Sequence, residues 1–299
     1  MKTLSVIIPD SNSPLIRKIL GALKRQTIDM SAAEVLVVGT DELGLVVEDE
    51  LIRFIPADQH TNAAVKRNLG MREAQSEVFL FLDDDCIPAT DWVERHLYRH
   101  GQGQQVVGGA ITFDSRCYLQ LADNISAFHD LLPFTPEGSR PYLATANLSV
   151  NRAVVEKAGE MERHKNRAED LDWTVRFRSL GYRLYFDRRA VVFHDSLRLS
   201  FSTVWRHWAD DAPDTLCVRL RYARLLRTPY LAKHRWAFLW GAPWVAAWAT
   251  ARTFGHPQTV SRYWHTLPLV YLTKLAWCWG AFKHFPADAN AEIACLTRT

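Results

Sequence analysis

Four short apolar runs separated by helical patterns constrain this chain more than any other feature. LSVII (4–8), EVLVVG (34–39), LIRFIP (51–56) and EVFLFL (77–82) are nearly continuous rather than alternating. Runs of that kind are expected of strands buried on both faces of a parallel sheet. After the first run, Ser13-Pro14 offers an N-cap and an N1 proline, and Leu15, Ile16, Ile19, Leu20 and Leu23 follow at helical spacing. A second helix is predicted between Thr61 and Ala74. This β-α-β-β-α-β rhythm predicts a doubly wound α/β fold, with a mostly parallel sheet and helices on both faces. Ligands then bind beyond the carboxyl ends of the strands. At 299 residues, 48% hydrophobic and 23% charged, the chain suits one large domain or two coupled ones and is not disordered.

Cys86, Cys117, Cys217, Cys278 and Cys295 are odd in number, far apart and form no CxxC pair. That argues against a disulfide scaffold or a zinc ribbon and fits a reducing compartment. The opening MKTLSVIIPD has one lysine and an apolar run too short for a signal peptide.

The fourth run ends directly in Asp83-Asp84-Asp85. Three adjacent carboxylates repel one another unless a cation or hydrogen-bond donors offset the charge. The triplet is therefore either a solvated acidic turn or a site for a divalent ion and a diphosphate, since Mg²⁺ takes one or two carboxylates plus substrate phosphates. A second acidic pair, Glu169-Asp170, opens a stretch in which Leu171, Val175, Phe177 and Leu180 form a helical face and Gly181 is a natural terminator. Carboxylates in a first helical turn favour the helix dipole whatever else they do. They can also serve as a general base beside an acceptor hydroxyl. His194, closing RAVVFH (189–194), is either a structural histidine or a ligand for Mn²⁺ or a similar ion.

Taken in order, SVIIP, AAVKRN, FLDDD, ATANLSVNR, AEDLDW…LGYR and the late histidine resemble family-2 glycosyltransferases of the GT-A fold over about residues 3–195. The resemblance implies an inverting, metal-dependent transfer from a nucleotide sugar. Asp83 and Asp85 would be the acid pair around metal and nucleotide, Asp84 would also contact the nucleotide sugar, and Asp85 would be the direct metal ligand. Asp170 would be the base, Glu169 its orienting neighbour and His194 a further metal ligand. Arg67 and Asn68 would lie near the nucleotide, and Asn147 would position donor or acceptor. Pro9 and Asn12 persist from the family's first turn and would line the nucleotide-sugar site. Gly39 stands where relatives place a base-reading aspartate, so Asp41 would have to substitute through a loop shift; UDP, dTDP and GDP sugars all remain open. Residues 1–100 would bind the nucleotide sugar, and 101–200 would form the acceptor-binding, catalytic half of the same domain.

Residues 201–299 differ in kind. Between Asp214 and Asp288 lie 73 residues with ten Arg or Lys and no Asp or Glu, leaving 26 basic and 33 acidic side chains elsewhere. Trp236, Trp240, Trp244 and Trp248 recur every four residues, predicting one helical stripe kinked at Pro243, and Trp264, Trp277 and Trp279 follow. Aromatic residues beside cations mark a membrane interface. Neither apolar stretch reaches the roughly 20 residues needed to span. The expectation is a helical region attached peripherally to an anionic membrane at its cytoplasmic face; the competing reading is a cap with its tryptophans as core. No nucleic-acid module is recognisable. The sequence therefore points to a glycosyltransferase using Mn²⁺ or Mg²⁺ to build a cell-surface polysaccharide or glycolipid on a hydroxyl acceptor, free or lipid-linked. The alternatives are a nucleotidyltransferase on a similar sheet, or a catalytically idle sugar-nucleotide or membrane-binding protein.

Overall fold

A computed structural model describes residues 2–114, 117–163, 167–195, 198 and 200–286. The described residues form two compact units, one within 2–112 and 131–195 and the other within 113–130 and 198–286.

The first unit is a nine-stranded mixed sheet with its helices. Its strands are β1 (Lys2–Ser11), β2 (Ala33–Thr40), β3 (Ile52–Pro56), β4 (Ser76–Leu82), β5 (Cys86–Pro88), β6 (Val106–Phe113), β7 (Gly138–Ser139), β8 (Asn147–Asn151) and β9 (Leu184–His194). Its path runs β3-β2-β1-β4-β8-β6-β9-β5, and β7 pairs β9. The four apolar runs are β1 to β4, and these are mutually parallel. Val6, Ile7 and Ile8 of β1, Val35 to Val38 of β2 and Leu80 to Leu82 of β4 are wholly buried, which is why their sequences do not alternate. Beyond β4 the sheet turns antiparallel, through β8 against β4 and β6.

Helix α1 (Ile16–Leu23) follows β1, and α2 (Ala63–Glu73) precedes β4. Asn62 caps α2, its side chain accepting from the Val65 amide. The order β3-β2-β1-β4 reverses direction between β1 and β4, the switch point at which open α/β sheets bind ligands. There the two strands part. β1 pairs with β4 as far as Ile7↔Phe81, but with β2 as far as Ser11↔Thr40. Pro9, lacking an amide hydrogen, stands where the β4 ladder has ended. The unit is completed by α3 (Trp92–Gly101), α5 (Arg152–Ala158) and α6 (Glu169–Ser179).

The second unit holds α4 (Tyr118–Phe128), α7 (Phe201–Arg221), α8 (Ala223–Leu226), α9 (Ala237–Trp240), α10 (Ala242–Thr253), α11 (Pro257–Tyr263) and α12 (Leu267–Lys283). Segment 113–130, expected within the second half of the α/β domain, packs instead with these helices, because Asp123 accepts from Arg198 and from the Trp208 indole. Pro243 does not kink a long helix: the stripe is split at Gly241, and Pro243 lies in the first turn of α10, where a missing amide hydrogen costs nothing. Trp236, Trp240, Trp244 and Trp248 are all more than half exposed, so they are not the core of a cap. Among the described residues no helix is long and apolar enough to cross a membrane, and four cysteines are free thiols; Cys295 lies outside the described residues.

Helices α7 and α12 meet at Gly280, where a Cβ would lie 1.9 Å from the Ala209 carbonyl oxygen. Gly280→Ala should therefore destabilise the helical unit by about 1–3 kcal/mol through overpacking. A thermal melt that leaves its transition unmoved would contradict this contact.

Candidate active site

Asp83, Asp84 and Asp85 leave the end of β4 in three directions, each with its own partner. The Asp83 carboxylate accepts from Arg67 Nη2 at 2.5 Å. Arg67 Nη1 donates to Glu169 Oε1 at 2.8 Å. Arg67, from the second turn of α2, is 3% exposed and so joins the two acidic motifs, 86 residues apart in sequence, inside the protein. Burial alone would push the guanidinium down, but Asp83 and Glu169 hold its pKa above the ordinary value. Burial raises Asp83 in turn, against the pull of Arg67.

Asp84 turns toward β1. Its Oδ2 accepts from the Ser11 amide at 2.8 Å, and its carbonyl oxygen from Ser13 Oγ at 2.6 Å. This stitches the turn after β1 to the turn after β4. Burial lifts the Asp84 pKa to about 7 despite the Ser11 bond. Asp85 faces the strand that ends the unit: its Oδ2 lies 3.2 Å from His194 Nε2. The antiparallel pairing of β5 with β9, in register at Cys86↔His194, brings them together.

Helix α6 places the second motif. Ala168 enters it at φ 57°, a left-handed conformation that costs a residue with a Cβ. Trp173, wholly buried, fixes the helix: its ring meets Phe81 of β4 edge-on at 5.5 Å, and its indole donates to the Gly159 carbonyl. Asp170 accepts from the Leu171 amide at 2.6 Å. Burial, then the neighbouring Glu169 charge, pushes the Asp170 pKa up to about 7, with Arg67 acting against them. A carboxylate balanced there is suited to exchange protons near neutrality.

Several sequence expectations are corrected. Among the described residues no three His, Cys, Asp or Glu side chains gather into a metal-ligand cluster, so Asp83, Asp85 and His194 do not form one. Asp83 is turned to Arg67, and the close pair is Asp85 with His194. Asn147 does not face a ligand. It donates to the Ala110 and Ala190 carbonyls and accepts from Trp92 Nε1 and His96 Nε2, which fills all four positions of its amide. Asn68 is buried, exchanging hydrogen bonds with both backbone groups of Met161. Asp41 is held by its own loop, where its two oxygens accept from the Leu45 and Val46 amides. Position 39 has a steric reason for glycine: a Cβ would lie 1.9 Å from the Asp10 carbonyl oxygen. Asn12, at φ 63°, accepts from the Leu43 amide and so ties the turn after β1 to the loop after β2.

Lys66 was not singled out by the sequence, although it stands beside Arg67. Its ammonium, buried, donates to the Asp10 carbonyl at 2.7 Å and to Ser11 Oγ at 3.2 Å, bracing the carboxyl end of β1. Asp10 itself is wholly buried, and its Oδ2 has no hydrogen-bond partner among the described residues. The signal available was the apolar environment implied for both residues by the flanking strand and helix.

A model described as Glycosyl transferase family 2 matches residues 5–186, and the chain belongs to that family. Glycosyltransferase AglE of Haloferax volcanii is 30% identical over 200 residues, which is 64% of this chain and 66% of that protein. The alignment thus spans just under two thirds of that relative's length. Mannosyltransferase PcManGT from Pyrobaculum calidifontis, solved in complex with GDP-Man and Mn²⁺, shares the fold with a TM-score of 0.65 at 18% identity, over 94% of this chain and 86% of that one.

Replacing Arg67 by Met should cost about 3–5 kcal/mol, because two buried carboxylates lose their shared counter-charge. With the cation gone, the folded-state pKa of Asp83 rises further above its unfolded value, so stability falls as pH rises. The deficit in urea denaturation should be larger at about pH 8 than at about pH 5. An equal deficit at both would mean that Arg67 acts by packing alone.

Proposed function

We propose that this protein transfers a sugar, with inversion, from a nucleoside-diphosphate sugar to a hydroxyl acceptor, with Asp170 as general base. The observation that carries the reading is the buried Arg67, which fixes Asp83 at the sheet's switch point and Glu169 beside Asp170 in one constellation. In the step envisaged, the acceptor oxygen attacks the anomeric carbon and its proton passes to Asp170. The bond from that carbon to the diphosphate breaks on the opposite face, which inverts the centre. Glu169, held by Arg67, keeps the Asp170 pKa high enough to accept that proton.

Asp83, Asp85 and Glu169 outnumber the single Arg67 charge, so the site repels a diphosphate unless a cation offsets it. A carboxylate and an imidazole are suitable donors for a divalent ion, and Asp85 with His194 would hold Mn²⁺ or Mg²⁺, with phosphate oxygens completing its shell. When bound, such an ion stabilises the charge of the departing nucleoside diphosphate. The GDP-Man bound to the Pyrobaculum neighbour makes a guanine nucleotide sugar the first donor to test, ahead of UDP and dTDP sugars. The basic, tryptophan-rich helices support a lipid-linked acceptor at the cytoplasmic face of the cell membrane, in the assembly of a surface polysaccharide or glycolipid.

With donor, acceptor and Mn²⁺ supplied, Asp170→Asn should lower turnover by about 10²–10⁴ while leaving donor affinity nearly intact. Because the base acts ionised, turnover of the parent should fall on the acid side of about pH 7, and the variant should lack that limb. Normal turnover in Asp170→Asn would dismiss it as the base. Pyrophosphate release in place of nucleoside diphosphate would indicate nucleotidyl transfer.

Chelation with EDTA should abolish tight GDP binding measured by calorimetry, and Asp85→Ala should do the same with Mn²⁺ present. Metal-dependent affinity that survives in folded Asp85→Ala would place the ion elsewhere.

A further inference from the structure

We propose that the helical unit carries a monotopic docking surface for anionic lipid, built on α10 and the segment leading into it. The inference deepens the lipid-linked acceptor reading, but its evidence lies entirely within the helical unit.

Helix α10 is inside out for a helix solvated by water. Its inward positions are Ala246, Thr250 and Thr253, whereas Trp244 and Trp248 face outward at 79% and 56% exposure. A helix bathed in water places its large apolar groups inward and its hydroxyls outward. Trp240, closing α9, is 77% exposed. The neighbouring anchor does face inward: Phe238 packs with Ala212, Leu216, Leu220 and Ala281, and meets Trp277 edge-on at 5.7 Å. The exposed tryptophans therefore stand on a fixed support.

Charge selects the partner. The Arg252 guanidinium lies 5.0 Å from the centre of the Trp248 ring, so cation and indole are presented together. Lys233 and Arg235 precede α9, and residues 215–287 contain no acidic side chain. A second copy of this chain would bring two cationic faces together, which is repulsive. Indoles flanked by Arg and Lys match the boundary between phosphate headgroups and acyl chains. With no described helix able to span, the contact is shallow, about 5–10 Å into that boundary.

The full-length protein should cosediment with phosphatidylcholine vesicles containing about 30% phosphatidylglycerol at about 0.1 M salt, and release partly at about 0.5 M. Pure phosphatidylcholine vesicles should bind it weakly. Trp244→Ser combined with Trp248→Ser should reduce partitioning at least about tenfold, and Arg252→Gln about fivefold. Both variants alter outward side chains, so circular dichroism and GDP–Mn²⁺ binding should match the parent. Vesicle binding that is absent, insensitive to salt or unchanged in both variants overturns the proposal. So does self-association without lipid that the tryptophan variant abolishes, which would give the face to a second copy. Asp170→Asn should still bind vesicles, and the tryptophan variant should still turn over a water-soluble acceptor. Failure of the docking surface and failure of the catalytic reading are thus separately visible.

Discussion

A single buried guanidinium holds the two acidic motifs together. Asp83 ends a strand and Glu169 begins a helix that lies far along the chain, and both carboxylates point at Arg67. Without a cation between them, burial and mutual repulsion would drive the end of β4 from the first turn of α6. The fork of arginine suits the task because separate nitrogens address separate carboxylates. A lysine would offer one point charge on a flexible stem. The neighbouring Lys66 shows the contrast: its ammonium braces backbone at the end of β1 and joins no carboxylate pair. A buried ion network of this kind is weak evidence for stability and better evidence for a fixed arrangement. Arg67 sets where Glu169 sits, and Glu169 in turn helps set the proton affinity of Asp170.

The triplet Asp83-Asp84-Asp85 divides its labour because each carboxylate meets a different neighbour. Asp83 belongs to the Arg67 network, Asp84 to the turn after β1, and Asp85 to His194 at the end of β9. The mutual repulsion expected of adjacent aspartates is relieved by pointing them apart. Burial adds to the cost of ionising them, raising the pKa of Asp83 and lifting that of Asp84 to about 7. At the same place β1 and β4 part after Ile7↔Phe81, and Asp84 bridges the gap between them.

What was legible in the sequence follows from how local each signal is. The strands of the parallel half announce themselves because burial on both faces is written in neighbouring residues. The acidic motifs were legible as candidates for the same reason. The start of the first helix was less legible: α1 begins at Ile16 with Leu15 at the N-cap, not at the Ser13-Pro14 expected. The antiparallel half was not legible, because β8 is five residues long and its place between β4 and β6 depends on partners distant in the chain. Asn147 and Asn68 resembled ligand contacts in their motifs, yet tertiary structure spends their amides on protein groups. Asp41 was available by composition but is taken up by its own loop. The four-residue tryptophan spacing was readable; the break at Gly241 was not, since glycine is tolerated within many helices.

The two units answer the cost of buried or exposed groups in opposite ways. The α/β unit takes charge inside and offsets it with Arg67, which bonds Asp83 and Glu169 at once. The helical unit takes small residues and threonines inside and leaves indoles outside. In water, exposed indoles on a rigid support are a liability, and a chain tolerates them where a second solvent receives them. The charge distribution is compatible with anionic lipid as the solvent proposed above. Outside residues 215–287 the chain carries 26 basic and 33 acidic side chains, a balance that anionic lipid repels. In the docking proposed above, attachment would come from the acid-free stretch, whose cations attract the same surface that would accept the indoles. A catalyst so held would meet a lipid-linked hydroxyl by searching in two dimensions, while its nucleotide sugar arrives from water.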